Sequence, residues 1–125
     1  MKVSALDGAY LDYWVARAEG ETAVFEYGEC KYHYDDEHGT WDENWHPSAD
    51  WSQGGPIIER ERIALIPVIG GTWSAEYDEP TGGGDYQEHA IDGPTALIAA
   101  MRAFVASKFG VGACMNDETV IRGRE

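Results

Sequence analysis

The chain reads as an α+β fold: a small, mainly antiparallel sheet packed with two main helices and a broken helical segment, in a helix–sheet–helix sandwich. Three observations predict it. Apolar residues recur at helical spacing near both ends, they alternate with polar residues in between, and a Gly-Gly-Pro triplet interrupts the middle of the chain. At 125 residues and 43% hydrophobic composition, the expectation is one domain, 1–125, able to bury a core without disulfides or metal.

The first element is a helix over 5–19. Ser4 followed by Asp7 is capping-box-like, with Asp in place of Glu or Gln. Leu6, Tyr10, Tyr13, Trp14 and Arg17 follow helical spacing, and Leu11, Val15 and Ala18 widen the stripe. Asp12 and Glu19 mark the solvent side, and Gly20 is placed to end the helix. Strands follow over 23–34, where Cys30, Tyr32 and Tyr34 alternate with Lys31 and His33 beyond a turn at Gly28-Glu29. Residues 35–50, DDEHGTWDENWHPSAD, read as an acidic surface loop carrying Trp41 and Trp45.

RIALIPV, 62–68, is apolar on both faces, as suits a central strand, with Pro67 confined to its end or a bulge. It pairs through Ile69-Gly70-Gly71 with TWSAEY, 72–77, and 78–87 is a second loop rich in chain breakers. The last helix spans 94–109, with Pro94 at its first position and Gly110 just past its end. Leu97, Met101, Phe104, Val105 and Lys108 form one stripe. Ala96, Ala99, Ala103 and Ala106 form a smooth side that suits close packing on a sheet or another helix. The expected core contains Leu6, Tyr10, Trp14, Ile58, Ile63, Leu65, Trp73, Leu97, Met101 and Val105.

The stretch DWSQGGPIIERERIAL, 50–65, is the most distinctive. Ser48 can cap a short turn holding Asp50 and Trp51. Gly54 and Gly55 then break it, and Pro56 suits the first position of a new turn. The expectation is therefore a broken helix over 48–61 with a glycine joint, at least one glycine having positive φ. A glycine pair also admits a ligand or another backbone at close range.

PSADWSQGGPIIERERIAL, the later GPTALIAAMRAFVASKFG and the opening LDGAYLDYWVARAEG together resemble a family of small phage and prophage proteins, the NinX-like family. These blocks cover somewhat under half of the chain, and 21–47 and 78–91 lie outside them. The resemblance implies a bacterial or phage setting and a cytoplasmic protein in a bacterial host. It carries over no catalytic residues.

Nine basic against 23 acidic residues leave a net charge of −14, which repels nucleic-acid phosphates and anionic membranes and steers toward basic partners. No apolar run reaches membrane-spanning length, and the N-terminus has no apolar signal region. Cys30 and Cys114 form no metal-type spacing. His33, His38, His46 and His89, with the acids of 35–43, match no HxxxH, HExxH or calcium-loop pattern, so neither a metal nor a cofactor is expected. TGGGDY is not a nucleotide loop, and no serine sits in a GxSxG elbow.

Three functions remain in competition. The first is a non-catalytic module binding a host or phage protein, with Trp41 and Trp45 as anchors. The second is a DNA-mimic inhibitor of a basic nucleic-acid-binding protein. The third is a small-molecule binder or enzyme with a cleft around Glu59, Arg60 and Arg102, walled by Trp51 and approached at Gly54 and Gly55. A structural ion pair involving Arg60 or Arg102, holding the broken segment against the last helix, competes with that cleft. Oligomeric state is not legible.

Overall fold

The computed structural model describes residues 1–21, 23–26, 29–36 and 39–115, with 25–26, 32–36 and 39–43 described by their backbone. A single 3₁₀ turn, Val3–Ala5, leads into helix α1, Gly8–Ala18. Strands β1 (Ala23–Glu26), β2 (Glu29–Asp36) and β3 (Gly39–Asn44) form an antiparallel meander. Helix α2, Trp51–Glu61, separates it from a second antiparallel meander: β4 (Ala64–Pro67), β5 (Trp73–Gly82) and β6 (Asp85–Gly93). Helix α3, Ala96–Phe109, closes the described fold.

The α+β expectation is borne out, with antiparallel pairing throughout. The strands divide into two three-stranded sheets rather than one. Helix α2 sits between them in sequence, and each set of three pairs only with its own neighbours. Every residue of the expected core is either buried or packed against the buried cluster.

Helix α1 starts later than expected. Asp7 is its N-cap in extended conformation but makes no side-chain cap bond, so the capping box does not form. Its end is as read: Gly20 takes φ +80°, its N–H donates to Arg17, and Glu21 donates to Ala16, a Schellman closure. In α3 the cap is Thr95, whose hydroxyl accepts from the Ile98 N–H at 3.1 Å, so Pro94 lies before the cap rather than at the first helical position.

Strand β4 is an edge, not a central strand. Pro67 is its last residue. The Val68 N–H donates inward to Thr72, so by alternation the Pro67 nitrogen faces the open side, where a missing donor leaves no ladder bond unmade. The 35–50 and 78–87 "loops" are largely strand. Asp35 and Asp36 belong to β2, Gly39–Asn44 is β3, and β5 and β6 continue as a ribbon to a Gly82-Gly83-Gly84 turn in which all three φ are positive.

The glycine joint is absent. Helix α2 runs unbroken through Gly54, Gly55 and Pro56, neither glycine has positive φ, and the Gly54 N–H is bonded to the Asp50 carbonyl at 2.9 Å. Tertiary burial of Ile57, half-buried packing of Ile58, the Asp50 cap and a left-handed C-cap at Arg62 hold together what local propensity would divide. Gly54 is present for closeness. A Cβ there would stand 2.5 Å from the Pro47 carbonyl oxygen and 2.7 Å from Leu97 Cδ2, whereas one at Gly55 would meet nothing within 4 Å. The two glycines should therefore respond oppositely to alanine. Gly54→Ala should lose about 1–3 kcal/mol through overpacking, and Gly55→Ala should gain up to about 1 kcal/mol of helix propensity. Urea unfolding of the two variants measures both, and equal losses would contradict the close-packing account.

Candidate functional site

Two concavities lie on either side of the segment joining β3 to α2. Within that segment Pro47 and Ser48 are buried, and a turn is closed by the Ala49 and Asp50 N–H groups on the His46 carbonyl. The Asp50 carboxylate accepts from the Ser52 N–H (2.9 Å) and hydroxyl (2.7 Å), capping α2 and holding its own pKa below the usual carboxylate value. This fixes the first residue of α2, Trp51, at the surface with 56% of its area exposed.

The first concavity is a cleft of about 560 Å³ between the N-terminal ends of α2 and α3. Trp51 and Trp73 face it together with Pro94, Leu97 and Ile98, and Ser48 and Thr95 contribute hydroxyl groups. None of the residues lining it is charged. Such a surface suits an apolar side chain better than acid–base chemistry.

The second is a more polar cavity of about 310 Å³ lined by Asp12, Glu29, Cys30, Asn44, Trp45 and His46, with Ala9. Asp12 is the residue the sequence misplaced. It was read as solvent-facing, yet it is 4% exposed in a run, Leu11–Ala16, that is buried throughout. The available signal was that unbroken apolar surround. One carboxylate oxygen accepts from the Ser48 N–H at 2.9 Å. Burial pushes its pKa up to about 6, against the lowering effects of Ser48 and His46. Burial, helped by the Asp12 charge, also pushes the Cys30 thiol up to about 12, which keeps it protonated and unsuited to nucleophilic attack. Both cysteines are free.

Glu59, Arg60 and Arg102 do not form one cleft. Arg60 pairs with Glu19 of α1 and with Glu61 at 2.7 Å, and lies 5.5 Å from the centre of the Phe104 ring. It thus joins the C-terminal ends of α1 and α2 over α3. The Glu19 contact, then Glu61, raises its pKa. Glu59 is exposed on α2. Arg102 donates from Nε to the Leu6 carbonyl (2.8 Å) and from Nη1 to the Asp92 carbonyl (2.9 Å), and desolvation lowers its pKa. Arg60 thus forms an ion pair, but an exposed one to the end of α1 and within α2 rather than a buried one to the last helix, while Arg102 is a clamp on backbone carbonyls.

Trp45 is 8% exposed and belongs to the core, its backbone N–H donating to the Cys30 carbonyl, so it is not a surface anchor. Trp41 lies on β3 opposite Tyr34, and its side chain is outside the described atoms. Gly54 is occupied with packing and Gly55 with helix. Among the described residues that the sequence offered for binding, Trp51 alone lines the open cleft. Among the described residues no group of three His, Cys, Asp or Glu could hold a metal, and no helix is long and apolar enough to cross a membrane. His38 lies outside the described residues.

Two antiparallel meanders, the first packed on α1 and the second on α3, define a small α+β protein with an uncharged aromatic cleft. The family described as "Bacteriophage P22, NinX" matches residues 2–108, and the chain belongs to it. The resemblance read from three blocks thus extends across the segments that those blocks leave uncovered. No curated protein matches the chain.

Two measurements follow. Arg102→Ala should cost about 1–3 kcal/mol, because two carbonyls lose a charged donor, and an equally stable variant by urea unfolding would contradict the clamp. For Asp12, the folded pKa of about 6 exceeds the model value of 3.8. Its contribution to stability is therefore fully present below about pH 4 and is lost as pH rises through about 6. Asp12→Asn keeps an acceptor for Ser48 without the buried charge. It should be more stable than the parent at neutral pH by about 2–3 kcal/mol, the margin shrinking toward pH 4. A difference that stays flat with pH would contradict the assignment.

Proposed function

We propose that this NinX-family protein is a non-catalytic binding module, acting in the cytoplasm of a bacterial host, that receives a protein partner in the Trp51–Trp73 cleft. The observation that carries this reading is Trp51 itself, a large aromatic 56% exposed at the mouth of an uncharged cleft. Exposed Trp beside a pocket is the composition of an interface hot spot. The chain's charge of −14 favours a partner that presents an apolar side chain flanked by basic residues. Trp51→Ala tests it, since truncating an exposed side chain leaves the core intact. In affinity capture from bacterial lysate, the parent should retain a specific protein that the variant loses, a drop of about tenfold or more. Identical recovery by the two proteins would reject the cleft as the docking site.

A DNA-mimic reading is supported by one further observation. On the outward face of the second sheet, Glu76 and Asp78 of β5 are two residues apart and Asp78 lies directly opposite Glu88 of β6, an ordered like-charged array that the notion of a loop did not provide. Binding to a basic protein that weakens steeply with salt and survives Trp51→Ala would favour it over the cleft.

A further inference from the structure

We propose that the cavity on the opposite side of the 45–48 segment from the cleft is a binding site for a primary ammonium group, with Asp12 as its charge partner. The site is independent of the cleft reading.

A carboxylate 4% exposed is costly in ionised form unless a cation faces it. Among the described residues no Lys, Arg or His nitrogen lies within ion-pair distance of Asp12. The Ser48 N–H and side chain both bond the carboxylate but supply no charge. The carboxylate nevertheless lines a space of about 310 Å³, large enough for an alkyl chain with a charged head. Around it stand Glu29, a second negative charge at the exposed rim, with Asn44 and Trp45.

His46 is the one group on the lining that opposes a cation when protonated. Its ring nitrogen is held 3.4 Å from Asp50, and its charge acts on Asp12 only as the smallest of the influences that favour the carboxylate. The Cys30 thiol is neutral and adds no charge. Because Ser48 already holds one Asp12 oxygen, the two-pronged geometry that an arginine fork prefers is compromised, whereas a compact ammonium needs only a single point of contact. The ammonium group can belong to a free alkylamine or to a lysine side chain of a protein.

The Asp12 carboxyl carbon is the reporter. Its ¹³C shift is followed against pH in sodium chloride, in n-butylammonium chloride and in a neutral-capped lysine tripeptide, all at equal ionic strength. Binding to the ionised form should lower the midpoint by about one unit or more, equivalent to at least about tenfold preference for the carboxylate. A shift with both amines assigns the site to small alkylamines, and a shift with the peptide alone assigns it to a presented lysine. The parent protein suffices for this measurement, so it does not depend on a variant folding. Asp12→Asn, where folded, should abolish binding of the same probes by calorimetry. The same midpoint in all three solutions overturns the proposal, as does undiminished binding by Asp12→Asn.

Discussion

Because α3 buries residues around its whole circumference, it needs cover on opposite sides, and the rest of the chain is disposed to supply it. Leu97, Met101, Phe104 and Val105 each remove enough apolar surface to contribute about 1.5–3 kcal/mol, and alanines fill the positions between them. The second sheet packs on one side of the helix, and α1 and α2 supply the other cover. Two glycines set how near the cover comes. Gly93 of β6 lies so close that an added Cβ would stand 2.6 Å from the Ala99 nitrogen, and Gly54 of α2 lets Leu97 in. The smooth alanine side read from sequence is thus what permits a sheet at near contact.

Polar side chains then hold the layers in register. Arg102 uses its guanidinium on two carbonyls from different elements, the lead into α1 and β6, so it fastens three segments at one point. Arg60 and Lys108 do the same over Phe104 through Glu19 and Glu61. At the surface such pairs add little stability each. Their geometric effect is larger, since they fix where the ends of α1, α2 and α3 meet. Among them, Arg60 and Arg102 are the two that the sequence left open between a ligand cleft and a structural ion pair. A charge embedded in an apolar block signals a specific partner, and sequence alone does not say whether that partner is a ligand or the chain's own backbone.

What was legible follows from periodicity. The core residues were read correctly because a repeat of 3.6 or 2 identifies a buried face irrespective of topology. The unreadable parts were those where tertiary context outweighs local preference. Helix α2 persists through Gly54-Gly55-Pro56 because Ile57 is buried on it and Ile58 packs half-buried against the core. The ribbon of β5 and β6 was mistaken for loop since its outer residues are polar on both faces, and a strand projecting beyond the core has no apolar side to betray it. RIALIPV looked central by hydrophobicity, although its proline argued for an edge. Trp51 was found because an aromatic among breakers stands out, while Asp12 was missed because a carboxylate on a helix is normally wet.

The segment 45–50 is where these strands of reasoning converge. Its Trp45 enters the core, its Ser48 is tied to Asp12, and its Asp50 caps α2 so that Trp51 is held at the cleft mouth. Trp45 and His46 line one concavity, and Ser48 and Ala49 line the other. The wall between the two spaces is therefore only a few residues thick, and it is anchored by a hydrogen bond to a group that burial brings close to its titration point. A buried carboxylate that accepts a backbone N–H holds it more strongly when ionised than when protonated. Anything that favours the ionised form of Asp12 thus tightens Ser48, and Ser48 is part of the surface that Trp51 and Trp73 present. An asparagine there would avoid the cost of burying a charge but could not tighten Ser48 in response to one.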